Sequence, residues 1–273
     1  MVDTVDSSGE LADPQSHRRP TPWVDRVRWL LRGVGQMLIT AGVIVLLFVV
    51  YEVYVTNYFA DRAQAQVKTA LKQEWQHTDG EDPLLPLPGQ STPSLPEGKG
   101  IAYLYIPRLG RDFGYAIVQG TSDADLEKGP GHYISTALPG QIGNFGVAGH
   151  RVGKGEPFLN LDQLQPGDPV IVQTESHWYV YRVGGRPGDI SATDAQGVPG
   201  REIVDPSDGD VLDPVPDHPG AIPKKARLTM TTCHPKFTAT QRMIVHATLA
   251  QTVPAHGLTM PASIVAIYSG QGA

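Results

Sequence analysis

Apolar and polar positions divide the chain into three regimes. From Gly33 to Tyr51 nineteen residues pass without a charge, with Ile39 and every position from Val43 to Val50 apolar. Roughly 20 apolar residues in a helix cross the hydrocarbon core of a bilayer, so the pattern predicts a transmembrane helix over 33–54. Trp23, Val27, Leu30 and Leu31 precede it at helical spacing with arginines between them, which predicts an interfacial turn with Trp23 and Trp29 at the headgroups. Asp61 to His77 is rich in helix formers and sets Val67, Ala70 and Leu71 on one face. Pro83, Pro86, Pro88, Pro93 and Pro96 then stand among Gly and Ser, the composition of a semi-extended linker. Residues 55–99 therefore read as a stalk helix and linker.

From Ile101 the period shortens from that of a helix to that of a strand. Ile101–Ile106, Tyr115–Gln119, Phe145–Ala148, Pro169–Gln173 and His177–Val183 are short β-rich runs bounded by Gly and Pro. Glu202–Val204 extends the set, and Arg227–Thr232 and Gln241–Ala247 flank a turn centred on Pro235. Helical stretches are brief, near Asp123–Lys128, with Asp123 as cap, and Pro157–Leu164. Gly129 to His132 reads as a turn, and 184–223, rich in Asp, Pro and Gly, as a long exposed loop able to wall a groove. Seven or eight short strands at this spacing predict a mainly β domain over 100–273, closed or nearly closed into a barrel.

Charge adds orientation. Arg18, Arg19, Arg26, Arg28 and Arg32 precede the apolar run, whereas Glu52 and Asp61 follow it with a single Arg62. Basic flanks stay on the cytoplasmic side, which makes 1–32 a cytoplasmic tail, polar and without apolar period up to Thr21, and places the β domain outside the cell membrane. A cleaved secretion signal shares the basic-then-apolar order, but this run is long for a signal core and no clear small-x-small site ends it. The net charge of −6 and the interleaving of acids and bases after Gly100 argue against a nucleic-acid partner.

The chain has one cysteine, Cys233, so it forms no internal disulfide. A cysteine nucleophile needs a proton carrier, a stabiliser for the oxyanion and a groove that presents the carbonyl. Arg242 opens the strand after the Cys233 turn and supplies several donors on a permanent charge. Of nine histidines, His150 ends a β-rich run among small residues, which leaves its imidazole unobstructed. His132, His177, His218 and His246 read as turn, core or surface residues, and His234 points away from its neighbour by strand alternation.

Thr229-Met230-Thr231-Thr232-Cys233, with Arg242 nine residues on and His150 in an Ala-Gly-His-Arg context, resembles the sortase family of Gram-positive surface transpeptidases. Met230 stands where the family usually has Leu. The resemblance covers about Gly100 to Ala250, and Cys-His-Pro-Lys-Phe is similar to the class E, actinobacterial branch. It implies a closed eight-stranded sortase-type β-barrel with short helices, and a membrane-anchored cysteine transpeptidase without cofactor. By the same resemblance Cys233 attacks the Thr–Gly bond of a C-terminal sorting motif of LPxTG or LAxTG type on a surface protein. A thioacyl intermediate forms, and the amine of a peptidoglycan precursor resolves it. His150 is then the proton carrier, Arg242 holds substrate and oxyanion, and Thr231 and Thr232 contribute to substrate binding, Thr232 at the oxyanion.

Two alternatives stand beside this reading. A pilin-polymerising sortase would carry an Asp-Pro-aromatic lid and a second membrane helix, which Asp82-Pro83-Leu84 matches loosely and Ile264–Tyr268 is too short to supply. A non-catalytic β-barrel binding module would leave Cys233 inert. No metal site is expected, because Asp205, Asp208, Asp210, Asp213 and Asp217 fit no EF-hand spacing.

Overall fold

The computed structural model describes residues 22–51, 56–77, 84, 95–255, 257 and 259–270. The expected polar tail up to Thr21, Asp82-Pro83 and most of the Pro-rich linker lie outside the described residues. Contacts divide the chain into two units, 1–50 and 51–273.

In the first unit a single helix, α1 (Pro22–Val50), runs without interruption through the expected interfacial turn. Its segment Arg26–Val50 has a mean hydropathy of 2.4 and is long and apolar enough to cross a membrane.

The second unit is built on nine strands: β1 (Gly100–Tyr105), β2 (Tyr115–Gln119), β3 (Gly131–His132), β4 (Gly143–Ala148), β5 (Pro169–Gln173), β6 (His177–Val183), β7 (Arg201–Val204), β8 (Ala226–His234) and β9 (Gln241–Pro254). Hydrogen bonding runs in the order β6-β5-β1-β2-β3-β4-β8-β9, and β9 pairs β6 to close the ring. Eight strands thus form a closed mixed barrel, as expected. The ninth, β7, is an addition outside the ring. The fourteen residues of β9 serve three partners: Gln241 to Thr248 pair β8, Arg242 to Val245 pair β7, and Ala247 to Pro254 pair β6. β2 runs parallel to β3, and β4 parallel to β8.

Inward side chains of these strands make one core, with Leu104, Ile117, Phe145, Leu228, Met230 and Val245 almost fully removed from water. Burial of that apolar area is what holds the ring shut.

Four expectations change in the tertiary structure. α2 (Thr56–His77), expected as a stalk, lies on the barrel. Its Leu71 packs with Tyr103 and Ala116, the Gln64 amide brackets both backbone groups of Ala116, and the Tyr103 hydroxyl donates to Lys68 O at 2.8 Å. The Gly129–His132 turn contains the short strand β3, because Gly131 and His132 pair β2 on one side and β4 on the other. Loop 184–223 is partly buried: Val198, Val211 and Val215 are covered, and Asn144 on β4 donates to Val211 O and Asp213 O. An outward-facing amide needs partners, and this loop supplies them. The helix α3 (Asp123–Leu126) is capped by Ser122, whose hydroxyl oxygen accepts from Asp125 N, rather than by Asp123.

The C-terminal apolar stretch forms α4 (Ala262–Tyr268), which buries Ile264 and Ile267 against Trp178 and Ile171.

Candidate active site

β8 alternates between the two faces of the barrel wall. Leu228 and Met230 enter the core with no exposure, so the period of two turns Thr229, Thr231 and Cys233 to the outer face. Cys233 is directly opposite Arg242 in the antiparallel β8–β9 pair. Facing residues of such a pair project to the same side, with Cβ atoms about 5 Å apart. The thiol and guanidinium therefore stem from neighbouring backbone positions at one end of the barrel. Cys233 is partly exposed and unpaired.

His150 arrives from the other side of β8. β4 and β8 run in parallel with Ala148 beside Thr231, and Gly149 N–H donates to Thr231 O at 3.1 Å. His150 follows that last pair by two residues on one side and Cys233 by two residues on the other. Gly149 is required here: a Cβ would stand 2.5 Å from Cδ2 of Phe158, while Phe158 N–H holds His150 O at 3.1 Å. The Phe158 ring and amide thus fix the backbone from which the imidazole springs.

His150 Nε2 is buried and has no hydrogen-bond partner among the described residues. Burial, and next the positive charge of Lys154, push its pKa below the ordinary histidine value, with Asp123 and Glu127 opposing. A neutral imidazole is favoured at neutral pH, with one nitrogen able to accept a proton.

At Arg242 one guanidinium nitrogen donates to Ala239 O and Gln241 O, both at 3.0 Å, and ties the side chain to the turn. The two threonines expected at the substrate are both buried and engaged with protein. Thr231 shares a hydrogen bond of 2.9 Å with the Tyr133 hydroxyl, and Thr232 donates to Gly149 O at 2.8 Å. Thr232 faces the core side with Met243 across from it, which alternation from Cys233 required.

Arg151 has a role that residue-by-residue reading missed. It is 4% exposed, donates to Cys233 O at 3.3 Å and His234 Nδ1 at 2.8 Å, and pairs with Asp162 at 3.2 Å. The one available signal is its position directly after His150, since nothing local announces burial of a long cation.

Away from the thiol, Glu202, Asp217 and His246 bring a ligand-type atom each within 4.8 Å of the others. His246 is almost fully buried between Thr229 Oγ1 at 2.8 Å and Glu202 Oε1 at 2.9 Å. Burial and the neighbouring Glu202 carboxylate push the Asp217 pKa up to about 7. Asp217, expected in a solvated loop, instead lies within 4.8 Å of Glu202 on β7 and His246 on β9. Asp205 receives the Ser207 amide at 2.9 Å, and Asp208 the Asp210 amide at 3.3 Å, so both cap turns of their own loop.

Comparison with known proteins matches residues 104–250 to the family model described as Sortase domain. Sortase SrtE1 of Streptomyces coelicolor is 36% identical over 231 residues, covering 82% of this chain and 58% of the relative. The chain therefore spans less than two thirds of that relative's length. The sortase SrtF structure from Corynebacterium diphtheriae aligns with a TM-score of 0.57 at 39% identity, covering 65% of this chain and 98% of the other. The sortase E1 structure from Streptomyces coelicolor with a tripeptide in the active site aligns with a TM-score of 0.50 at 35% identity, covering 61% of this chain and 97% of the other.

Proposed function

We propose, for a chain that belongs to the sortase family of cysteine transpeptidases, that it cleaves a C-terminal sorting motif of LPxTG or LAxTG type between Thr and Gly and joins the Thr acyl group to an amine. The observation that supports this reading is Cys233 directly opposite Arg242 on β9, with His150 following the last β4–β8 pair, Ala148 with Thr231, by two residues as Cys233 does. The tripeptide in the sortase E1 structure supports a peptide as the occupant of the equivalent groove.

In this reading Cys233 Sγ attacks the Thr carbonyl carbon while its proton passes to His150. The carbonyl π electrons move onto oxygen, and Arg242 donates to the resulting oxyanion. Collapse re-forms the carbonyl, breaks the Thr–Gly C–N bond and sends the His150 proton to the leaving amine. The amine of a peptidoglycan precursor then attacks the thioester carbon and loses a proton to His150, and as the new amide forms the C–S bond breaks and the Cys233 thiolate takes that proton back from His150. General acid–base work of this kind contributes about 10²–10⁴-fold, and an oxyanion donor about 10²–10³-fold.

Thr231 and Thr232 act beneath the groove in this reading. Their hydroxyls hold Tyr133 and the Gly149 carbonyl, so they orient the residues around the substrate, and Thr232 is replaced as oxyanion partner by Arg242. α1 anchors the protein in the cell membrane, with Arg26, Arg28 and Arg32 on the cytoplasmic side and residues 100–273 outside. Acceptors and sorting-motif proteins then meet the catalytic end at the cell wall.

The test is incubation of the purified protein with LPxTG and LAxTG peptides, with and without a peptidoglycan-type amine, followed by mass spectrometry. Cleavage after Thr with transfer to the amine is expected. Cleavage at another bond, or no adduct at Cys233, would remove the reading.

A further inference from the structure

Where β4 leaves the sheet, side chains replace the next backbone bonds of its parallel ladder to β8. The regular ladder ends with Gly149 N–H on Thr231 O. Continued, it would place an amide on Gly149 O and the Arg151 amide on Cys233 O. Instead the Thr232 hydroxyl takes Gly149 O at 2.8 Å, and the Arg151 guanidinium takes Cys233 O at 3.3 Å. The backbone at His150 is thereby free to turn out of the sheet while its two neighbours stay bonded to β8.

Arg151 does more than cap that carbonyl. Its guanidinium has no acceptor, so the 2.8 Å contact makes His234 Nδ1 an acceptor and leaves the ring proton on Nε2. Asp162, on the short helical turn Leu161–Gln163, pairs with the other terminal nitrogen of the guanidinium, and Lys236 reaches Asn160 beside that turn at 3.4 Å. The segment after His150 and the turn after Cys233 are thus joined by one buried fork. A planar group with fixed donor directions suits this task, and a lysine reproduces its charge but not its geometry.

We propose that Arg151 is a positioning residue for the reaction, setting the relative placement of His150 and Cys233 by clamping the Cys233 carbonyl and the His234 ring to the chain directly after His150. The proposal rests on the reading of Cys233 as nucleophile. Misplacement of reacting groups by about 1 Å costs on the order of 100-fold, and that loss falls on kcat, because Arg151 itself does not hold the peptide.

The test compares Arg151→Met, Arg151→Lys and Asp162→Asn with the wild type, each as the full chain in detergent. With a sorting peptide, Arg151→Met is expected to lose about 100-fold in kcat with KM within about threefold, and Arg151→Lys to restore about tenfold of that loss. Asp162→Asn moves kcat in the same direction by a smaller factor. Nitrogen spectra of the histidine rings, assigned with His234→Gln, should show a proton-free His234 Nδ1 in the wild type and a changed signal in Arg151→Met. Wild-type kcat in Arg151→Met overturns the proposal, as does an unchanged His234 spectrum. If Arg151→Met does not fold, wild-type kcat in both Arg151→Lys and Asp162→Asn overturns it equally. Absence of peptide turnover by the wild type itself counts against the proposed function, while the ring spectra still decide whether Arg151 holds His234.

Discussion

Cys233 and Arg242 are cross-strand partners next to the turn that joins β8 to β9, so any change in the pairing register separates thiol from guanidinium. A one-residue slip of β9 against β8 would send the Arg242 side chain to the core face while Cys233 stays on the outer one. The core contacts of Met230 and Met243 on the same two strands resist such a slip.

Replacement of Cys233 by Ala is expected to reduce peptide cleavage by at least about 1,000-fold with an unchanged melting temperature. The residue is partly exposed, and loss of its sulfur empties no core site. Rates and thermal melts of the same preparation check both halves of the expectation.

For Arg242→Ala the expected loss is about 100–1,000-fold in kcat. Arg242→Lys should recover part of it, since the charge is kept and the fork is not. Its hydrogen bonds to Ala239 and Gln241 carbonyls are surface contacts of a turn, so stability should move by less than about 1 kcal/mol. Pre-steady-state measurement of thioester formation locates the defect in acylation.

Gly149→Ala brings a Cβ to within 2.5 Å of the Phe158 ring. Overpacking of this kind costs about 1–3 kcal/mol, and the strain falls on the residue before His150. Lower stability in denaturant melts together with a reduced kcat is expected. Phe158→Leu in the same chain should relieve part of the stability loss.

Stability should respond to pH in opposite senses through two groups of residues. His132 is pushed down to about 4 by burial, which outweighs its hydrogen bonds to the Thr136–Ala137 turn, and burial also lowers His150 and His246. Groups with depressed folded-state values stabilise above the ordinary histidine value, and that contribution is lost as pH falls from about 6.5 toward 4. Asp217 has the reverse sign. Raised to about 7, it contributes fully below the ordinary carboxylate value of about 4, and the contribution is lost as pH rises from there through about 7. The two effects oppose one another over the same window. Removing the acid with Asp217→Asn should therefore make the melting temperature fall more steeply between pH 7 and 4 than it does in the wild type. An equal or shallower slope would count against the raised Asp217 value.

Much of this protein can be read from order and spacing. The run from Gly33 to Tyr51 announces a helix of membrane length, because nineteen consecutive residues carry no charge. Alternation identifies most barrel strands, since a wall with one face in the core must repeat every two residues. The same period places Cys233 and Arg242 beside one another once the turn at Pro235 is recognised. β3 escapes this reading because two residues carry no period, and α2 reads as a stalk because its apolar face does not say what it covers.

The tertiary structure alone decided which residues distant in sequence lie around Cys233. Parallel pairing of β4 with β8 joins residues distant in sequence, such as Ala148 and Thr231, and that pairing ends two residues before His150 on one strand and two before Cys233 on the other. Thr232 reads locally as a substrate ligand beside the cysteine, yet alternation and the ladder turn its hydroxyl to Gly149 O. Arg151 reads as any arginine in a loop. It is buried because the carbonyl of Cys233, the ring of His234 and the carboxylate of Asp162 converge on it, and convergence of partners distant in sequence leaves no local pattern to read.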